Sequence, residues 1–197
     1  MNRMTRRLLT GALALAGAGF ALPAIAQGGT DFPSRPLKII VPFAPGGATD
    51  VLARMVGQKL TESWGQQVVV ENRPGAGGNI GAEAGARAAA DGYTLTLAAA
   101  GFMAVNPSLF AKLPYDSVKD FAPVSLLVKA PLLLVVNSNV QARSVKELID
   151  FAKANPGKLT IGNGGTGTAQ HLGGEFFTSA AAISATHVPY KGSAPAV

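Results

Sequence analysis

Cysteine is absent from the 197-residue sequence, which excludes disulfide scaffolds, thiolate metal sites, cysteine nucleophiles and a lipid-modified N-terminal cysteine. Charge is scarce as well, at 14% of residues against 48% hydrophobic, the balance of a chain that buries a core. Histidine occurs twice, so imidazole chemistry rests on His171 and His187. They make a poor metal site, and no metal ligand is expected. No G-x-S-x-G elbow and no G-x-x-x-x-G-K-[ST] loop occurs, which removes the two commonest signatures of hydrolysis and of nucleotide binding. The formal charge of +6 is inflated by Arg3, Arg6 and Arg7 in an N-terminal targeting segment; without them 14 basic residues face 11 acidic ones, or +3. Those basic residues are scattered, with no stripe to track phosphates, so nucleic acid is not expected as a partner.

Residues 1–26 have the pattern of an export signal. A basic stretch over residues 3–7 precedes an apolar run from Leu8 to Leu22, and Ala24-Ile25-Ala26 supplies the small-x-small cleavage pattern before Gln27. The run is too short, and too rich in Gly and Ala, for a membrane span. Thr5-Arg6-Arg7-Leu8-Leu9 also resembles a twin-arginine signal. The mature chain of about 171 residues is expected to be soluble and exported, to the periplasm of a two-membrane cell. ATP and reduced nicotinamide are scarce there, so no cofactor is expected.

Short apolar runs then alternate with helical patterns. Leu37 to Val41, bounded by Pro36 and Pro42, reads as a strand; Thr49 to Ser63 as a helix; Gln67 to Glu71 as a second strand. A small-residue helix over Asn79 to Ala90 stops at Asp91-Gly92, and Tyr93 to Leu97 forms a third strand. This β-α-β-α-β order predicts an α/β fold with a parallel sheet. Phe121 to Val128 and Leu132 to Val136 read as two further strands, too closely linked for another βαβ unit, and so as a crossing between lobes. A helix over Ser144 to Ala154 carries a capping box at Ser144 and Glu147. A strand over Lys158 to Ile161, a glycine loop, a helix near Gln170 and a strand over Ala185 to Pro189 follow. The layout stops where another helix is due, and is read as the beginning of a larger protein.

The glycines mark the chemistry. Pro45-Gly46-Gly47-Ala48-Thr49, Pro74-Gly75-Ala76-Gly77-Gly78-Asn79 and Gly162 to Thr168 each join a strand to a helix. Such corners present bare backbone N–H groups and the positive end of a helix dipole, which favour an anion. In an open parallel sheet they share the carboxyl edge, where ligands bind. Gly75, Gly77 and Gly81 fall short of a dinucleotide fingerprint, because the glycines do not follow the strand directly and no acid ends the next strand. Asp50 suits either a ligand amine or the N-terminal turn of its helix. His171, early in its helix, suits a ligand or a packing role, and His187 reads as a core residue.

Seven ordered segments carry a resemblance. They are Pro42 to Asp50, Glu71 to Asn79, Asp91 to Leu95, Asn106 to Phe110, Leu113 to Asp116, Asp120 to Val124 and Val188 to Gly192. Together, from about residue 33 to the end, they resemble the substrate-binding proteins of tripartite tricarboxylate transporters, the Bug family. The resemblance implies a periplasmic-binding-protein-like fold of the type II, Venus-flytrap kind, with a first lobe over 27–129 and an incomplete second lobe over 130–197. It implies a monomeric solute-binding protein, without catalysis, that captures a small carboxylate in the periplasm and delivers it to membrane permease subunits. Carried over by position, the ligand contacts are Phe43, Gly46, Gly47, Ala48 and Asp50, the corner Gly75, Ala76, Gly77, Gly78 and Asn79, then Thr166, Thr168 and His171, and finally Tyr190 and Lys191. The chain departs from the family at Ala100-Gly101-Phe102-Met103, where a polar loop is usual; Phe102 and Met103 either wall an apolar-bodied carboxylate or pack in the first lobe. The rival readings are an exported hydrolase using His171 and a sensing subunit for a membrane kinase.

Overall fold

Three parallel strands in the order β2-β1-β3 build the first sheet: β1 Leu37–Val41, β2 Val68–Asn72 and β3 Thr94–Thr96. The structure is a computed structural model that describes residues 32–197, so the export signal expected over 1–26 and its twin-arginine pattern lie outside the described residues. Pro36 and Pro42 bracket β1 because proline lacks the N–H that a central ladder requires. With a neighbour on each side and helices against the sheet, β1 buries Leu37, Ile39, Ile40 and Val41, the near-continuous apolar run of a parallel-sheet interior.

Helix α1, Ala48–Trp64, returns the chain between β1 and β2. Its small residues set the packing distance. Ala53 is fully buried, and at Gly57 an added Cβ would already touch Val68 and Ile39. Gly65 ends the helix in the left-handed conformation, its amide bonded to the Thr61 carbonyl. Helix α2, Asn79–Ala86, crosses from β2 to β3. It ends four residues short of the expected Ala90, since the chain must turn at Asp91, whose side chain accepts from the Tyr93 amide at 3.0 Å, to start β3. After β3 a π-helical turn over Gly101–Val105 runs into a short helix α3, Asn106–Leu109. Phe102, with no exposure, anchors a second core with Ala82 and Tyr115, against which Phe43 and Met103 pack. Of the two roles open to Phe102, packing is supported by its burial against Phe43, Ala82 and Tyr115.

The second sheet has two parallel strands, β4 Leu159–Asn163 and β5 Ala185–Pro189. Helix α4, Val145–Ala154, precedes it, and α5, Ala169–Ala181, links its strands. The capping box at α4 is present: Ser144 Oγ accepts from the Glu147 amide at 3.2 Å, while the Glu147 carboxylate reaches back one residue further than expected, to the Arg143 amide.

The strands expected over Phe121–Val128 and Leu132–Val136 are not formed. Those residues belong to no sheet, and Val124 and Leu133 are 85% and 82% exposed. Apolar β-branched composition makes a segment fit for a sheet, but a strand exists only where a neighbour accepts its backbone bonds, and none of the five described strands lies alongside. Leu132 does find a partner, resting against Gly173 of α5.

Candidate functional site

Register alone brings the carboxyl ends of each sheet level: Val41 pairs with Asn72 and Asn163 with Pro189. Residues 33–197 form one compact unit, within which the corners after the two sets of strands meet. The Ala44 amide donates to the Lys191 carbonyl at 2.8 Å, joining the corner after β1 to the one after β5. In that same junction Gly47 lies beside Ser193 and Gly46 beside Ala194. The corner after β2 abuts the corner after β4: a Cβ on Gly77 would fall on the carbonyl oxygen of Thr166. The turn after β3 joins them, with Gly101 against the Gly167 carbonyl.

Gly77 shows why no other residue fits. Its φ is +64°, in the left-handed region, and the space a side chain would need belongs to another loop. It stands in a run of four positive φ angles from Gly75 to Gly78, in which Ala76 at +48° carries about 1–2 kcal/mol of strain for its Cβ. Strain of this kind persists only where surrounding contacts enforce it, and it concentrates at ligand clamps.

Two polar networks hold the corners. Asp50, 3% exposed, accepts from the Gly46 amide at 2.9 Å, the Arg54 Nε at 3.0 Å and the Asn72 side-chain nitrogen at 2.9 Å. Asn72 also donates to the Phe43 carbonyl at 3.0 Å. The Arg54 side chain bonded to Asp50 lowers its pKa to about 2, assisted by the Gly46 amide and Asn72 and opposed by burial. Asp50 thus spends its carboxylate on bracing the first corner. The second network centres on Asn79, whose side-chain oxygen accepts from Asn106 at 2.6 Å and lies 2.8 Å from the Tyr115 hydroxyl. That hydroxyl is equally close to the Phe102 carbonyl, and burial raises its pKa to about 12, so it stays a neutral donor.

The sequence-expected residues therefore divide. Gly46, Gly47, Gly77, Thr166 and Lys191 stand where corners from the two sheets touch. Ala48 opens α1, whose N-terminus has no side-chain cap, and neither has that of α2, after Gly78. Asp50 and Asn79 turn into the protein to hold loops, and Phe43 packs against Phe102 with ring centroids 6.4 Å apart. Thr168 caps α5: its hydroxyl donates to the Gly165 carbonyl at 2.6 Å and accepts from the His171 amide at 3.4 Å. His171 turns its Nδ1 toward the Gly167 amide, 3.5 Å away. Tyr190 is exposed and lies near Gly162.

Sequence reasoning missed the asparagines. Asn163 closes β4, is 2% exposed, and accepts from the Gly165 amide at 3.0 Å, yet its side-chain NH2 has no partner among the described residues. Asn106 leaves its side-chain oxygen unpartnered against Gly167. For Asn163 the signal was readable, since it lies at the end of β4 inside the Gly162 to Thr168 corner; Asn106, at the start of α3, carried no such signal. Surface hollows of about 500 and 390 Å³ lie elsewhere, one along α1 and β2 and the other at the amino edge of the first sheet.

Parallel sheets whose carboxyl-end corners face one another define the fold of periplasmic binding proteins, and solved structures agree. R. palustris Rpa4515 with adipate is 40% identical with a TM-score of 0.81, the match covering 84% of this chain and 55% of that one. MatC from Rhodopseudomonas palustris with bound malate is 33% identical with a TM-score of 0.78, over 84% and 56%. Residues 52–197 match the tripartite tricarboxylate transporter family receptor, and the chain belongs to that family. Protein BugT of Bordetella pertussis is 44% identical over 195 residues, 98% of this chain and 59% of its own length. The chain spans 49% to 59% of the length of the curated relatives it matches.

Proposed function

We propose that this chain is the N-terminal part of a periplasmic receptor that captures a small carboxylate between two lobes, divided near residues 129–130, and presents it to membrane permease subunits. The observation that carries the reading is the Asn163 side-chain NH2, buried and unpartnered at the edge where the glycine corners converge. A buried donor left unmade costs about 1–3 kcal/mol, and a carboxylate oxygen, directly or through a water, recovers it. The uncapped N-termini of α1 and α2 add donors and positive partial charge on the same edge. The carboxylates named with the two solved relatives, adipate and malate, belong to the ligand class these groups suit.

The corners touch, so a guest enters only as they part and is held as they close. Capture is then a population shift between open and closed arrangements, driven by contacts made only in the closed one. The hydrolase reading has less support. The Thr168 hydroxyl proton is committed to the Gly165 carbonyl, and the His171 ring sits beside Glu175 and His187.

Calorimetric titration with a panel of mono-, di- and tricarboxylates tests the proposal. Saturable binding without turnover is expected, weakened about tenfold in Asn163→Ala, the loss of one good hydrogen bond. Binding to none of the panel, or an Asn163→Ala affinity equal to the parent's, overturns it.

A further inference from the structure

The helix-to-strand contact of the second sheet gathers the only two histidines of the chain around one carboxylate. His171 and Glu175 lie four residues apart on α5, hence on one face, and His187 points at them from β5. Glu175 Oε1 is 3.6 Å from Nε2 of each histidine, and one ligand atom from each of the three residues falls within 4.8 Å of the others. The two rings stand edge to face with centroids 5.7 Å apart. His187 lies against Gly174, where an added Cβ would come within 2.9 Å of its ring, so a glycine makes the room it occupies. Both nitrogens of His187 are buried and without a hydrogen-bond partner among the described residues.

We propose that His171, Glu175 and His187 bind a divalent transition-metal ion of the zinc type. Around a tetrahedral ion with bonds of about 2.0–2.1 Å, neighbouring ligand atoms are about 3.4 Å apart, so the two 3.6 Å separations to Glu175 need only a small contraction, while the two histidine nitrogens, within 4.8 Å of each other, must draw together by a rotamer adjustment. Distances of 3.6 Å are too long for hydrogen bonds, and a buried imidazole with neither nitrogen satisfied is costly; an ion on Nε2 of His187 satisfies one of the two. Two imidazoles and one carboxylate suit Zn, Co or Ni, not Mg or Ca. Glu175 is half-exposed, which leaves a fourth position for water and makes the ion exchangeable. The sequence reading overlooked Glu175, although its spacing from His171 is visible there, and His187 joins them only through the pairing of β5 with β4.

Ligation has a local consequence. A metal on Nε2 of His171 leaves the remaining ring proton on Nδ1, where it opposes the Gly167 N–H that now faces that atom. The contact is long, so little is lost, but the Gly167 loop must adjust. The test uses the untagged chain stripped with chelator and titrated with Zn²⁺, with Mg²⁺ as control and Co²⁺ as a spectroscopic substitute. One equivalent of zinc is expected, with a visible Co²⁺ band and a shifted Gly167 amide resonance. Glu175→Gln, at a half-exposed position that leaves folding undisturbed, and His187→Asn each weaken binding at least ~10-fold. Zinc bound no more tightly than magnesium, or as tightly by both variants as by the parent, overturns the site. Zinc binding that leaves the Gly167 resonance in place excludes His171 from it.

Discussion

The two sheets follow one architectural rule and differ in how completely they satisfy it. In the first, β1 has a strand on either side, and its side chains are buried at Leu37, Ile39, Ile40 and Val41. In the second, β4 and β5 have only each other, and of their ten residues Asn163 alone is buried. The apolar core of the second region reduces to Leu148 and Ala152 of α4. Burial is where folding free energy arises, so the first region carries the stability while the second contributes the facing half of the corners. The proposed grip needs both; the fold of the described residues leans on one.

The largest effect expected from this contrast comes from emptying the first core. Phe102→Ala should destabilise by about 3–5 kcal/mol in urea unfolding, whereas Ile161→Ala, a half-buried side chain in β4, should cost under ~2 kcal/mol. Equal losses would erase the distinction between the regions. Next comes the junction. Gly77→Ala needs the left-handed region and collides with the Thr166 carbonyl, so about 3 kcal/mol of strain is expected. It should also force the corners apart and reduce carboxylate affinity, which calorimetry would read directly; unaltered affinity would separate the corner contact from binding. The smallest effect is titration of Asp50. Its carboxyl ionises near 2 in the fold against 3.8 in the free state, so its stabilisation is complete by about pH 5 and is lost progressively as pH falls through 2. The expected loss is about 2 kcal/mol, absent in Asp50→Asn, as measured by unfolding across that range.

Legibility followed the range of the physics involved. The three strand-to-helix corners were readable because glycine clusters and helical spacing are local, and β1, α1 and β5 fall within a residue or two of expectation. Phe121 to Val136 misled because an apolar run reports fitness for a sheet and is silent about the neighbour that must complete it. Asp50 was readable as an N-terminal helix residue, but its bond to Asn72, twenty-two positions away, depends on the β1–β2 register. Asn163 sat in a readable corner, but that its NH2 is buried without a partner follows only from the packing.

The sequence by itself determined the order of elements within the two sheets, the corners free of side-chain bulk, and the family to which they belong, since these depend on propensity and spacing along the chain. Only the tertiary structure decided that Gly77 faces Thr166, that Asp50 braces a loop, and that His187 meets His171 and Glu175. Contacts between residues distant in sequence are settled by which surfaces pack, and a linear pattern does not encode the register of that packing.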